Sequence, residues 1–199
     1  MTDAVQYIRD RLLESAAVKT ELACSSAELI WLAAQKAVDC LRSGGKIMIC
    51  GNGGSAADSQ HIAAELVVRF HLNRRGLPAI ALTTDTSILT AGLNDLGFEH
   101  VFRRQVEALA RKGDLFIAIS TSGRSPNVIK AAEQAKAQGL EVIGLTGAAE
   151  GPMDRIADLA LHVPSDDKAR IQESHITIGH LICDLVDKAL FGNASIQAE

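Results

Sequence analysis

Side chains able to do chemistry concentrate in a few short stretches of the sequence. The glycine-rich stretch CGNGGSAAD at 50–58 places Ser55 three residues before Asp58. That spacing is typical of a capping box, so we expect a helix to begin at Ser55. The glycines before it either bring bare backbone N–H groups close to a ligand or simply form a tight turn. Because no Gly-Lys-Ser/Thr and no G-x-G-x-x-G pattern is present, a nucleotide is disfavoured.

A second stretch, ISTSGRSPN at 119–127, is rich in hydroxyl side chains. Ser125 fits the N-cap of a helix and Pro126 fits its first position, so a helix is expected to start directly after four hydroxyl residues. Hydroxyls, backbone N–H groups and a helix dipole that converge on one point favour a phosphate dianion without a lysine. Serine and threonine are also ordinary loop residues, and Arg124 either adds positive charge or is simply solvated.

His61, Glu65 and Arg69 recur every four residues along the helix predicted from 55 to about 70. This spacing places side chains on one helical face, where a histidine and a glutamate can share a metal ion or pass a proton. The same spacing is common on exposed helices, where Glu65 and Arg69 would form only a surface ion pair. The start of this helix in the glycine-rich loop favours the functional interpretation.

The C-terminal helical pattern carries Gln172, Glu173, His175 and His180. Gln172 and His180 are separated by about 12 Å of helical rise, so both can reach one ion only with extended side chains. His175 competes with His180 as a ligand, while a histidine among isoleucines and leucines is also typical of a packed core. Zinc accepts imidazole nitrogen and carboxylate oxygen, and a zinc site with an open position is catalytic.

Asn94 and Asp95 form a further polar pair, in the segment AGLNDLGF. An amide next to a carboxylate suits hydrogen bonding to sugar hydroxyls. The same residues are equally typical of a turn that terminates a helix.

Hydrophobic periodicity predicts an α/β fold that positions these residues. Two helices are expected within 4–43, broken near Cys24-Ser25-Ser26. Short apolar strands at 46–50, 79–82, 114–119, 141–145 and 159–163 then alternate with helices at 55–70, 86–111, 126–138 and 169–191. This alternation indicates a parallel sheet covered on both faces. Ligands of such sheets bind beyond the carboxyl ends of the strands, where the glycine-rich and hydroxyl-rich loops fall.

Composition excludes several classes of protein. The 199 residues carry a net charge of −4, and Lys and Arg never occur in a run longer than two, which argues against a nucleic-acid partner. No apolar stretch reaches the roughly 18 residues that span a bilayer, so no membrane partner is expected. The polar N-terminus lacks a signal-peptide core, so a cytoplasmic location is expected.

Together, the segments CGNGGSAADSQH at 50–61, STSGRS at 120–125 and RIQESH at 170–175 resemble the sugar isomerase (SIS) domain family. The resemblance covers nearly the whole chain. It implies a three-layer α/β sandwich of the flavodoxin-like SIS type with a five-stranded parallel sheet. It further implies N-terminal helices at 1–44, for packing or oligomerisation, ahead of a SIS domain at 45–195, with assembly as a homotetramer.

Within that family, the resemblance is to enzymes that convert sedoheptulose 7-phosphate to D-glycero-D-manno-heptose 7-phosphate, for heptose in lipopolysaccharide and other surface glycans. It implies one zinc ion per subunit, held by His61, Glu65, Gln172 and His180. It implies a sugar-phosphate substrate contacted by Asn52, Gly53, Gly54, Ser55, Glu65, Arg69, Asn94, Asp95 and Gln172. The phosphate would rest on Ser120, Thr121, Ser122 and Ser125. Our hypothesis makes Glu65 and His180 the catalytic proton-transfer pair, although zinc binding would make Glu65 a poorer base.

One departure from the family pattern concerns Ala169, where some members carry an aspartate three residues before the glutamine. Any acid–base role of that aspartate would pass to Asp166 or Asp167, or the step would run without it.

Two other functions fit the same resemblance. One is a non-catalytic SIS tetramer that binds the replication initiator protein; such proteins tend to lack the metal-binding glutamate and the second histidine, both present in this chain. The other is a regulatory module that senses a sugar phosphate, which would normally be attached to a DNA-binding or kinase domain for which 199 residues leave no room.

Overall fold

A computed structural model describes residues 2–192 as one parallel five-stranded sheet between two layers of helices. The strands are β1 Ile47–Gly51, β2 Ala79–Ala81, β3 Leu115–Ile119, β4 Glu141–Thr146 and β5 Leu159–His162. The helices are α1 Thr2–Arg42, α2 Gly54–Val67, α3 Thr86–Leu96, α4 Val101–Leu109, α5 Pro126–Ala137, α6 Pro152–Ile156 and α7 Lys168–Phe191. A 3-10 turn, Phe98–His100, joins α3 to α4. The predicted end of the SIS domain at 195 lies outside the described residues.

The strand order is β2-β1-β3-β4-β5, and all neighbouring strands are parallel. This is the flavodoxin-like order that the resemblance implied. The chain leaves β1 toward one edge of the sheet and returns to build β3 on the other side of β1. The reversal creates a crevice between the carboxyl ends of β1 and β3, which is where ligands of open α/β sheets bind.

The sheet separates two apolar cores, which confirms the three-layer sandwich. On one face, Ile47, Ile49, Ile117 and their neighbours pack against α1, α2 and α7. On the other face, Met48 and Phe116 pack mainly against α4, α5 and α6. Strands buried on both sides explain why the sequence shows continuous apolar runs rather than alternation.

The predicted break near Cys24-Ser25-Ser26 is wrong, because α1 runs unbroken from Thr2 to Arg42. Leu22, Ser26 and Ile30 stand four residues apart on the buried face of this helix. A serine in a helix interior costs well under ~1 kcal/mol, so packing along that face outweighs the local preference.

The other predicted elements are present, with ends displaced by a few residues. The short helix α6 was not predicted, because five residues show no helical periodicity. Among the helices within residues 2–192, none combines the length and the apolar character needed to cross a membrane.

Candidate active site

The glycine-rich loop joins β1 to α2 at the crevice, but the helix does not begin as the capping-box pattern predicted. Gly53 is the N-cap, with φ 57° and ψ −119°, and no side chain caps this end of α2. Ser55 lies buried in the first turn, directly against Gly51, where an added Cβ would stand 2.6 Å from the Ser55 Cβ. Because two glycines allow this tight entry, the first backbone N–H groups of α2 are left without a side-chain partner.

The hydroxyl-rich loop joins β3 to α5 on the other side of the crevice. Ser125 is the N-cap and Pro126 opens α5, as predicted. The Ser125 hydroxyl does not cap the helix; it accepts a hydrogen bond from the Ser120 hydroxyl at 3.0 Å. The Arg124 guanidinium donates to the Glu150 carbonyl at 2.5 Å, so its charge is directed toward the next loop.

A reciprocal pair of amide hydrogen bonds joins these two loops. The Asn52 amide donates to Asn127 Oδ1 at 2.9 Å, and the Asn127 amide donates to Asn52 Oδ1 at 2.8 Å. Asn127 is only 1% exposed, and its oxygen also accepts from the Val128 N–H at 3.0 Å. Sequence reasoning missed Asn127, although an asparagine at the second position of a helix just after a hydroxyl-rich loop was a usable signal.

Helices α2 and α7 run side by side in the same direction from this crevice. At the level of the glycine-rich loop, the Gln172 carboxamide lies over Gly54, where an added Cβ would meet it at 2.5 Å. Two turns further along, Ile62 fills the space over Gly179, where a Cβ would meet the Ile62 side chain at 2.6 Å. Small residues on one helix therefore let the other approach closely at both levels.

This close approach brings His61, Glu65 and His180 together. His61 Nε2 lies 3.1 Å from Glu65 Oε1 and 3.0 Å from His180 Nε2. One ligand atom from each residue lies within 4.8 Å of the other two. Atoms that bind one zinc ion tetrahedrally stand roughly 3.3 Å apart, and two imidazoles with one carboxylate is a donor set of catalytic zinc sites. The three side chains therefore fit a zinc ion. Gln172 as a fourth ligand stays a prediction.

His175, the rival ligand, is a core residue. Its ring is fully buried, and Nε2 donates to the Thr146 carbonyl at 3.1 Å, while buried Nδ1 has no hydrogen-bond partner. Burial lowers the pKa of this imidazole to about 4, against the Thr146 hydrogen bond, which favours the protonated form. Of the two histidines that the sequence left open, His180 is therefore the one at the metal-binding group.

Arg69 lies outside α2, so the predicted series of three residues on one helical face is wrong at its third member. The helix ends at Val67. The Arg74 guanidinium donates to the carbonyls of Glu65 and Leu66 at 2.9 and 2.8 Å. In a longer helix these carbonyls would accept from the N–H groups of residues 69 and 70. Arg74 thus replaces the next helical turn, and Arg69 is exposed on the segment that follows.

Asn94 and Asp95 lie on the exposed side of α3. The Asn94 amide donates to Asp95 Oδ1 at 2.7 Å, and Asp95 lines a cleft of about 450 Å³ with His100 and Arg103. α3 ends one residue later at Leu96, so the helix-terminating interpretation of this segment is also correct. Their contact with substrate stays a prediction.

Two further carboxylates lie near the candidate site. One buried oxygen of Asp58, on α2, has no hydrogen-bond partner. Burial raises the pKa of Asp58 to about 6, and the charge of nearby His61 opposes this shift. Asp167, one of the two replacements considered for the aspartate absent at Ala169, is the N-cap of α7 and accepts from the Ala169 N–H at 2.7 Å. Asp166 is exposed.

Comparisons with known proteins find relatives over most of this chain. The family model described as SIS domain matches residues 12–147. A curated relative, the phosphoheptose isomerase of Aneurinibacillus thermoaerophilus, is 52% identical over 97% of this chain and 98% of its own length.

Solved structures are similar as well. A phosphoheptose isomerase from Neisseria gonorrhoeae superposes with a TM-score of 0.89 at 45% identity and covers 93% of this chain and 99% of its own. One from Francisella tularensis has a TM-score of 0.90 at 39% identity, with coverage of 93% and 98%.

Proposed function

This chain belongs to the SIS domain family, and on that premise we propose that it converts sedoheptulose 7-phosphate to D-glycero-D-manno-heptose 7-phosphate through an enediol. The relatives that match it over nearly their full length are named phosphoheptose isomerases. The observation that carries the proposal is the grouping of His61, Glu65 and His180 beside two loops suited to a phosphorylated sugar.

The substrate's phosphate is assigned to the hydroxyl-rich loop. Ser120, Thr121, Ser122 and Ser125 lie at the N-terminus of α5, where hydroxyls and the positive end of the helix dipole favour a dianion. Asn52, Gly53 and Gly54 offer backbone and amide groups to the sugar from across the crevice. The rise along α2 from Gly54 to His61 is about 10 Å, which suits an extended seven-carbon sugar phosphate.

The metal centre consists of His61, Glu65 and His180, with Gln172 as the fourth ligand, and holds one zinc ion per subunit. Zinc in such a centre polarises the oxygens of a carbonyl or hydroxyl group. The exposed edge of the His61 ring leaves the group accessible to substrate.

Proton transfer is assigned to Glu65 and His180. Isomerisation moves a proton between C1 and C2, so it needs a base and an acid on the same side of the sugar. Glu65 takes the proton on a carboxylate oxygen and returns it to the neighbouring carbon. His180 protonates and deprotonates the sugar oxygens through the imidazole nitrogen that does not bind the metal ion. This division keeps both steps within one cluster of side chains.

The finer family properties complete the proposal. Assembly as a homotetramer is supported by the first turns of α1, which expose Tyr7, Ile8, Leu12 and Leu13. In this division the N-terminal segment 1–44 serves packing or oligomerisation, and the SIS domain at 45–195 carries the site. The enzyme acts in the cytoplasm, and its product feeds the heptose of lipopolysaccharide and other surface glycans.

The non-catalytic alternative, binding of the replication initiator protein, is not favoured. Such proteins tend to lack the glutamate and second histidine that in this chain stand within 4.8 Å of His61.

The test is turnover of sedoheptulose 7-phosphate by the purified protein, followed by proton NMR of the aldose product. We expect turnover that a chelator abolishes and added zinc restores. Folded, zinc-loaded protein that forms no aldose would overturn the proposed reaction. Turnover that is indifferent to chelation would overturn only the metal requirement.

A further inference from the structure

A fully buried ion pair lies behind the candidate metal centre. Arg74 Nε donates to Asp187 Oδ1 at 2.6 Å, and the two side chains are 0% and 1% exposed. The pair joins the segment after α2 to α7, across 113 residues of sequence. It therefore links the two helices that carry the metal-binding side chains.

The remaining guanidinium nitrogens of Arg74 hold the end of α2. Nη2 donates to the carbonyl of Glu65, itself a proposed metal ligand, and Nη1 donates to the carbonyls of Leu66 and Arg75 at 2.8 and 3.1 Å. Leu66 also accepts from the Leu77 N–H at 3.0 Å. The backbone position of Glu65 is thus fixed directly by a side chain anchored on α7.

Asp187 holds the other side of the same arrangement. Its Oδ2 accepts from the backbone N–H groups of His71 and Leu72 at 3.3 and 3.4 Å. These contacts fix the segment that begins with Phe70, whose ring stacks on the His180 ring at 5.4 Å between centroids and 25° between planes. One carboxylate thereby orients the residue that packs against the second metal-binding histidine.

The cost of burying two charges argues that this pair has a role beyond stability. Desolvation of each ion costs several kcal/mol, and apolar replacements of buried ion pairs are often neutral or stabilising. What an apolar pair cannot reproduce is the fixed fork of donors that meets three backbone carbonyls. We propose that Arg74 and Asp187 are positioning residues, which set the spacing of Glu65 and His180 for the metal ion.

This inference rests on the metal centre of the proposed function, and cobalt binding tests it without any sugar. Cobalt(II) is a coloured substitute for zinc, so titration into chelator-treated protein gives both a dissociation constant and the ligand geometry. The first variant, Arg74→Lys, keeps the charge opposite Asp187 but loses the fork. The second, Arg74→Met with Asp187→Leu, removes both charges, so that no unpaired buried ion is left to destabilise the fold.

The control variant removes a comparable link elsewhere. Lys46 pairs with Asp114, which is 5% exposed, at the amino-terminal edge of the sheet, opposite the site. Lys46→Met should lower the melting temperature without changing cobalt binding.

We expect both Arg74 variants to bind cobalt about 10- to 100-fold more weakly, with an altered visible spectrum, because supporting contacts of metal ligands have effects of that size. Dissociation constants within twofold of wild type in folded Arg74 variants would overturn the positioning role and leave the proposed function intact. Wild-type protein that binds no cobalt would overturn the metal centre itself, and the positioning role with it.

Discussion

The two ends of α2 are built in opposite ways. At its first turn the helix has a glycine N-cap and no capping side chain, and the N–H groups of Ser55, Ala56 and Ala57 donate only to backbone carbonyls. At its last turn, the Arg74 guanidinium donates to the carbonyls of Glu65 and Leu66 and is itself paired with buried Asp187. One end is left open for a ligand, and the other is held by the protein itself.

This difference matches the chemistry assigned to each end. In the proposed function, the sugar would add hydrogen-bond partners at the end of α2 that no side chain caps. Proton transfer depends on distances set within a fraction of an ångström, which favours a held end. Side chains of the last two turns of α2 should therefore govern turnover, and those of the first turn should govern binding.

The largest expected effect is at the held end. Glu65→Gln removes the proposed base while keeping the shape of the side chain, and should lower kcat at least ~1000-fold with little change in melting temperature. Steady-state rates on protein with measured zinc content separate loss of the base from loss of the metal. Near-wild-type turnover with zinc retained would show that Glu65 does not move the proton.

At the open end, Asn127→Ala should act on binding. Loss of the reciprocal amide pair leaves half-buried Asn52 without its partner in the loop. Removing one partner of a hydrogen bond costs about 1–3 kcal/mol, which corresponds to roughly 5- to 150-fold in kcat/KM. Cobalt affinity should not change. In the double variant that also carries Asn52→Ala, the loss in kcat/KM should be much smaller than the product of the two single losses, because both changes break the same pair. Independent losses in the two single variants would show that Asn127 does not act through Asn52.

A smaller effect is expected from Gly53→Ala at the N-cap of α2. An added Cβ meets no atom within 4 Å, so the cost to folding stability comes from the backbone, at φ 57° and ψ −119°, and should be about 1–3 kcal/mol. The matched control is Gly113→Ala. Gly113 has φ 95° and equally open space, but it lies just before β3, at the amino-terminal end of the sheet and away from the site. Chemical denaturation should show a loss of stability for both variants, while only the Gly53 variant raises KM. A raised KM in both variants would show that the Gly53 effect comes from lost stability and not from the substrate site.

The smallest effect concerns the middle of α2, through Asp58. Its pKa is raised to about 6 in the folded protein by burial, so its contribution to stability is greatest in acid and is lost as pH rises through about 6. In metal-free protein, Asp58→Asn should therefore be more stable than wild type at pH 8, by about 1 kcal/mol after allowance for partial exposure. The difference should shrink as pH falls toward 5. A difference independent of pH would contradict this origin.

Local sequence signals predicted most of the architecture and part of the site. Apolar runs such as IMIC and LFIAI, separated by helical patterns, were enough for a parallel sheet. The spacing of His61 and Glu65 placed both on one helical face, and their contact with His180 is the arrangement implied by the resemblance. The strands and the spacing of His61 and Glu65 depend on neighbours a few residues apart, which is the range that periodicity reports, whereas the contact with His180 spans 119 residues and rested on the resemblance.

The features that sequence missed depend on distant partners. α2 ends early because of Arg74, which is positioned by Asp187 more than 100 residues away. Asn127 acquires its role from Asn52 across the crevice. The serines of α1 continue a helix because their neighbours pack against the core. No local pattern carries such information, because the energy comes from tertiary contacts.

The most direct test of the central claim is isomerisation of sedoheptulose 7-phosphate in D₂O, with the aldose examined by NMR for deuterium at C2. Proton transfer through an enediol, with a carboxylate base open to solvent, predicts deuterium at C2 in the wild-type product, and neither product nor exchange in zinc-loaded Glu65→Gln. Aldose formed without deuterium would contradict solvent-exchanging proton transfer. Exchange undiminished in the Glu65 variant would contradict the role given to the held end of α2.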